Sequence, residues 1–317
     1  MNRPWTENYP EYMDWDAKLP SQPIFTLLDE AAKKFPEKKA FYFEGKTWTW
    51  REIDDLSRRM AKGFQNKGVS KGKKVGLFLP NSPYSLIAYY AIARTGATIV
   101  NYSPLYETDQ LAHQIEDSET DIMVTLDMKI LYDKVEPLLK TSRLNQMVVC
   151  PMEGALPFPK NKLFKLLKGS ELASVPNDDR HLSFDSMVDN KGDIEEVEID
   201  PEEDVAVLQY TGGTTGVPKG IVRDIGGHIV ALKWTMKNIY NIDPDDVWWS
   251  ASDIGWIVGH SYIVYAPLFH GCTTVLFEGK PVGTPDAGVF WRIISEHKVK
   301  SLFTAPTAFR AIKKEDP

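Results

Sequence analysis

Apolar residues recur along this chain at two spacings, and the spacing changes at each turn signal. In "QPIFTLLDEAAKKFP" they fall on one face of a helix, which Pro36 ends. "FYFEGKTWTW" alternates instead around Glu44-Gly45-Lys46 and predicts a hairpin. The next stretch, "TWREIDDLSRRMAKGFQNKG", returns to helical spacing through Ile53, Leu56, Met60 and Phe64. Thr49 and Glu52 form a capping-box pattern at its start, and Gly68 can end it.

From there strands and helices alternate. "KVGLFL", "ATIVNYS", "DIMVTL" and "QMVVC" read as strands, with "SPYSLIAYYAIART" and "TDQLAHQIEDSE" as helices between the first three. The most apolar stretch, "SLIAYYAIARTGATIVNYS", is broken by Arg94 and Gly96, so it reads as a buried helix and a buried strand rather than a membrane span. After residue 150 comes "PMEGALPFPKNK", a proline-broken loop, and later "DIEEVEIDPEED", an acidic stretch that reads as a solvated linker. Alternation then resumes, with "VAVLQY", "VWWSAS", "CTTVLFEG" and "KSLFTAP" as strands and "GGHIVALKWTMKNIY" and "AGVFWRIISEH" as helices. The expected fold is α/β, with layered, mostly parallel sheets flanked by helices. Its expected division is a first subdomain over 1–190, the acidic linker over 191–204, and a second, incomplete subdomain over 205–317.

A length of 317 residues permits a large core, and the formal net charge of −7 argues against broad binding to nucleic acid or acidic membranes. Any bound anion must be attracted by local geometry. Cys150 and Cys272 lie in separate apolar runs without metal-ligand spacing, as expected of buried thiols in a reducing compartment. The amino terminus lacks the apolar run of a signal peptide, so the expected location is cytoplasmic.

The chemistry concentrates in "YTGGTTGVPKG", residues 210–220, at the end of a buried strand. Glycines let backbone N–H groups converge on an anion, Thr211, Thr214 and Thr215 add hydroxyl donors, and Lys219 adds a cation. The kinase-type phosphate loop does not fit, because Pro218 precedes Lys219 and Gly220 follows it; the dinucleotide spacing also fails. "TGGTTGVPKG" does match, at every position, the phosphate-binding signature of the adenylate-forming enzymes, the acyl-CoA synthetases and their relatives. The flanking stretch "GKTWTWREIDDLSRRMAKGFQNKGVSKGKKVGLFLPNSP" resembles long-chain fatty acid–CoA ligases. "SDIGWIVGHSYIVYAPL" and "EGKPVGTPDAGVFWRIISEHKVKSLFTAPTAFRAIKKEDP" resemble acetyl- and propionyl-CoA synthetases. A natural hybrid, an assembled one and an unusual lineage all remain open.

The resemblance implies the large amino-terminal domain of an adenylate-forming enzyme, in part. It implies acyl-CoA synthetase chemistry: a carboxylate and ATP give acyl-AMP, and CoA then gives a thioester, with Mg2+ at the phosphates. It assigns Thr211, Gly212, Gly213, Thr214, Thr215, Gly216 and Lys219 to ATP phosphates. It assigns Trp256, Ile257, Val258, Gly259 and His260 to the acyl pocket, where a bulky Trp256 favours a short to medium acyl group. Thr304 either faces the substrate tunnel or leaves the local role to Thr307 as a helix cap. The adenine-contacting segment with its metal-binding glutamate, the ribose aspartate and the lysine-bearing carboxy-terminal domain are not found. The expectation is therefore a ligase with little activity in this chain alone, no catalytic residue assigned, no metal site of its own, and self-association through an exposed edge. The alternative is a non-catalytic nucleotide- or acyl-binding fragment.

Overall fold

The computed structural model describes residues 4–8, 21–211, 219–224, 227–267 and 271–315. The first helix, α1, covers Thr26–Lys34 and precedes the hairpin of β1 (Lys39–Phe43) and β2 (Lys46–Thr49). Phe43 pairs with Lys46, and both turn residues take positive φ, 51° at Glu44 and 90° at Gly45. Two consecutive left-handed residues match the right-handed twist of the strands they join. Helix α2 (Trp50–Asn66) starts with the expected capping box. The Thr49 N–H donates to Glu52 Oε2 at 2.7 Å, and the Glu52 N–H donates to Thr49 Oγ1 at 3.3 Å.

A seven-stranded sheet holds β3 (Lys74–Leu77), β4 (Thr98–Asn101), β5 (Ile122–Leu126), β6 (Gln146–Cys150), β7 (His181–Ser183), β8 (Val205–Thr211) and β9 (Lys219–Asp224). Its order is β7-β6-β5-β3-β4-β8-β9, parallel except for the antiparallel β8–β9 pair. The helix α3 (Pro83–Arg94) is buried along its whole length, in keeping with an apolar and aromatic sequence interrupted by Ser85 and the terminal Arg94. Helix α4 (Thr108–Ser118) covers the sheet after β4. Two strands escaped the sequence pattern. β7 is only three residues long, and β9 is an edge strand with Ile221 and Val222 exposed, so neither carries a clean alternation.

A five-stranded sheet, β12-β10-β11-β1-β2, combines the early hairpin with β10 (Val247–Ala251), β11 (Thr273–Val275) and β12 (Val299–Thr304). Phe41 of β1 pairs in parallel with Thr274 of β11. The two sheets are thus interleaved in sequence, and by sheet membership 205–224 goes with the residues before the acidic stretch while 39–49 goes with those after it. The acidic stretch itself lies along α2. Gln65 exchanges two hydrogen bonds with the Glu195 backbone at 2.8 and 2.9 Å, Lys71 pairs with Asp204 at 2.6 Å, and Ile194 and Ile199 pack against the core.

The arginine that breaks the apolar run joins three helices. Arg94 is buried, donates to Asp29 of α1 at 2.7 Å and to Asp54 of α2 at 2.5 Å, and reaches Ser57 at 3.1 Å. Tyr90 of α3 donates to the Val264 carbonyl at 2.6 Å, tying α3 to the segment after β10. No helix among the described residues is long and apolar enough to cross a membrane.

Candidate functional site

The strand that leads into the glycine–threonine loop is β8, held between β4 and β9. Thr211, the last residue of β8, pairs with Lys219, the first of β9. The loop therefore closes a hairpin, and the helix Gly227–Asn238 follows one strand later than the sequence suggests. The missed signal is the β-branched pair Ile221-Val222 directly after Gly220. Gly212, Gly213, Thr214, Thr215 and Gly216 lie outside the described residues, and for Thr211 and Lys219 only the backbone is described.

The carboxyl ends of the strands of both sheets meet at one seam. Asn81, buried after β3, donates to the Ser252 carbonyl at 2.6 Å and to the Phe277 carbonyl at 3.0 Å, and accepts from the Ile254 N–H at 2.8 Å. One side chain thereby fixes the segments that follow β10 and β11 against β3. A second link runs through the sheet: Asn101 of β4 donates to Gln209 Oε1 at 2.9 Å, and Gln209 of β8 donates to the Gly255 carbonyl at 2.5 Å. Gln209 stands two residues before Thr211, and Gly255 stands next to Trp256. Gly255 has no room for a side chain, since a Cβ there would stand 2.8 Å from Asp253 Oδ1 and 3.2 Å from the Tyr102 carbonyl.

The seam encloses a cleft of about 200 Å³ lined in part by Asn81, Ser252, Asp253, Phe277 and Glu278. Clefts beyond the carboxyl ends of parallel strands are the usual ligand sites of open α/β sheets. Burial pushes the Asp253 carboxyl up to about 6, opposed by a hydrogen bond from the Gly255 N–H at 2.6 Å. Glu278 reaches the surface at the cleft mouth, yet the surrounding chain pushes its carboxyl up to about 7, with repulsion from Glu44 adding. Shifted carboxyls gathered in a cleft are a physical mark of a functional site. Asp253, Asn81, Gln209 and Glu278 were missed by sequence reading. Only Asp253 had a signal, its place at the head of "DIGWIVGH".

That segment divides in two. Trp256 is 52% exposed and Val258 37% exposed, whereas His260 is fully buried. Its Nδ1 lies 3.1 Å from the Trp256 carbonyl, and its ring packs edge-on to Tyr265 at 5.8 Å between centroids. Residues His260–Tyr265 form a turn of π-helix, a geometry frequent at functional sites. Gly259 is fixed by packing: a Cβ there would stand 1.7 Å from the Asp253 carbonyl oxygen. The fold thus brings Trp256, Ile257 and Val258 to an accessible face near the loop's entry strand, and sets Gly259 and His260 behind it. Thr304 ends β12 and donates to the Ala251 carbonyl at 3.3 Å. The helix Pro306–Glu315 starts before Thr307, which puts Thr307 within its first turn rather than at its cap. Both cysteines are free and buried, as expected.

Comparison with known proteins gives a consistent assignment. The family model described as "AMP-binding enzyme" matches residues 28–317. A mitochondrial acyl-CoA synthetase short-chain family member 3 of Rattus norvegicus is 36% identical over 99% of this chain and 47% of its own length. An acetyl-coenzyme A synthetase of Psychrobacter cryohalolentis is 34% identical over 91% of this chain and 44% of its own. The chain thus spans less than half the length of these curated relatives. A long-chain-fatty-acid-CoA ligase crystal structure from Archaeoglobus fulgidus superposes with a TM-score of 0.76 at 24% identity, over 94% of this chain and 54% of that one, which shows a shared fold. Likeness to short-chain relatives therefore extends over nearly the whole chain, and likeness to the long-chain ligase is one of architecture. With the loop motif, the seam and these matches together, the chain belongs to the AMP-binding enzyme family.

Proposed function

We propose that this chain carries the phosphate-binding and acyl-binding half of an acyl-CoA synthetase for short to medium acyl groups. A carboxylate is a poor electrophile until AMP is attached to it. In the proposed first step a carboxylate oxygen attacks the α-phosphorus of ATP and pyrophosphate leaves. In the second a thiolate of CoA attacks the acyl carbon and AMP leaves. The first step gathers several negative charges, so it needs fixed donors aimed at the phosphates. Thr211, Gly212, Gly213, Thr214, Thr215, Gly216 and Lys219 are the proposed donors. Trp256, Ile257 and Val258 are proposed to border the acyl group, with Gly259 and His260 supporting them and Thr304 at the edge.

The observation that supports this reading is the hydrogen bond from Gln209 to the Gly255 carbonyl, which links the strand before the proposed phosphate loop to the residue before the proposed acyl segment. Among the described residues no group of three or more His, Cys, Asp or Glu side chains could hold a metal ion. A magnesium ion carried by the ATP phosphates would neutralise part of their charge. Cytoplasmic placement belongs to the same proposal and rests on the two reduced thiols.

The test is binding of ATP and of alkyl-AMP esters of increasing chain length, stable stand-ins for the acyl-AMP anhydride, to the purified chain, by calorimetry. The reading requires the propionyl-length ester to bind at least about tenfold more tightly than the palmitoyl-length one, a ratio within reach of one pocket-limiting side chain. Trp256→Ala should narrow that ratio. Equal affinity for all lengths would overturn the acyl assignment.

A further inference from the structure

We propose that the helix Lys160–Lys168, with the Pro-Phe-Pro turn before it, docks on the surface of an anionic lipid bilayer. The helix has no buried residue. Phe158 is 81% exposed, Leu166 80%, Leu167 73% and Leu163 49%. Four large apolar side chains standing outward in one short segment are far more than scattered surface hydrophobics. At about 100° per residue, Leu163, Leu166 and Leu167 share one arc with Lys162 at one border and Lys160 at the other, and Phe164, beyond Lys160, packs inward against the core. Phe164 thus holds the helix to the body of the protein while the leucines face away.

Charge selects the occupant. Every ionisable residue of the helix is a lysine: Lys160, Lys162, Lys165 and Lys168. Lys160 pairs with Glu44, Lys165 with Glu153 at 3.6 Å and Lys168 with Glu171 at 2.5 Å, and Lys162 meets no carboxylate among the described residues. Four lysines against these three glutamates leave the patch one net positive charge, that of Lys162, and the paired lysines are each about half exposed or more, held only by weak surface pairs. An apolar stripe bordered by lysines is the arrangement that settles helices at the headgroup level of a membrane. A second copy of the chain is disfavoured as occupant, because a two-fold contact through this helix would set lysines against lysines. The net charge of −7 keeps the remainder of the surface away from an anionic bilayer, so attachment would be oriented through this patch alone. The inference does not depend on the proposed chemistry.

The experiment is flotation of the purified chain with phosphatidylcholine vesicles and with vesicles that also contain phosphatidylglycerol. Binding should be confined to the anionic vesicles and should weaken as salt is raised. Leu166→Ser with Leu167→Ser should lower binding at least about tenfold, since two exposed leucines lose their burial. Lys162→Ala should lower it about fivefold. Because these side chains are exposed, circular dichroism and the melting temperature should stay unchanged. Absence of binding, equal binding to neutral vesicles, or binding unaffected by the leucine substitutions would overturn the proposal. So would light scattering that shows a dimer dissolved by those same substitutions.

Discussion

In the seven-stranded sheet every strand comes from one continuous stretch, residues 74–224, with β3 to β7 following one another through helical excursions and β8 returning to pair with β4 after β5, β6 and β7 have been laid down. In the five-stranded sheet β1 and β2 come from residues 39–49 and their partners from 247–304, so the larger sheet lies in sequence between the two parts. Such pairing closes a long loop before any contact rewards it, which slows folding more than it lowers stability. The seam residues Asn81, Gln209 and Gly255 join the two constructions, and the candidate site lies where they meet. The contrast teaches that β3 to β7 form a scaffold specified mainly by local pattern, while β8 and the site are placed by a few distant contacts.

Substitutions can test this contrast, and the largest effect belongs to the scaffold. Arg94→Ala empties a fully buried site and leaves two part-buried carboxylates, Asp29 and Asp54, with Arg58 alone in place of two shared arginines. Stability should fall by about 3–5 kcal/mol in chemical denaturation. A loss under about 1 kcal/mol would mean that the three-helix junction is not a structural centre. At the seam, Gly259→Ala drives a methyl into the Asp253 carbonyl. The expected cost is about 3 kcal/mol, and alkyl-AMP binding should be lost in the same variant before global unfolding. If stability falls and binding survives in the folded fraction, the seam is separate from the site.

The pH dependence gives a third and smaller effect. Asp253 titrates near 6 when folded, against the ordinary aspartate value near 3.8 when unfolded. The folded state therefore binds more protons between these values. This group's contribution is fully present at about pH 4 and below and is lost as pH rises through 6, by about 2–3 kcal/mol. Asp253→Asn keeps an acceptor for the Gly255 N–H and removes the titration. The difference in unfolding free energy between the two proteins should thus widen across this range in favour of Asn. A parallel pair of curves would show that Asp253 is not shifted. Smallest of all, Thr49→Ala removes the capping box of α2 and should cost about 1 kcal/mol without changing ligand binding.

Legibility in the sequence follows the same division. The alternation of apolar runs gave the parallel strands β3 to β6, the wholly buried α3, the Glu44-Gly45 hairpin and the Thr49–Glu52 cap, because each is set by neighbours in the chain. The pairing of β1 with β11 could not be read, since nothing local in Phe41 or Thr274 names its partner. β9 was hidden for a related reason: as an exposed edge strand it need not alternate. In the site, the loop motif is legible as a chemical signature, but its closure as a β8–β9 hairpin is not. Asn81 carried no signal at all. An asparagine before Ser-Pro reads as an ordinary turn residue, and only the fold brings the Ser252 and Phe277 carbonyls to its amide.

The central claim is that the loop after β8 and the segment after β10 form one carboxylate-activating site. It is tested most directly by exchange of labelled pyrophosphate into ATP. The protein would be this chain fused to the second half of its short-chain relatives, with the 317-residue chain alone run beside it. The account predicts exchange by the fusion that requires a carboxylate, is fastest with acetate or propionate, slower with octanoate and slowest with palmitate. It predicts that Lys219→Ala or Gln209→Ala abolishes most of it, and that the chain alone shows little. Nucleotide turnover that needs no carboxylate, exchange fastest with palmitate, or full exchange after Gln209→Ala would contradict the account.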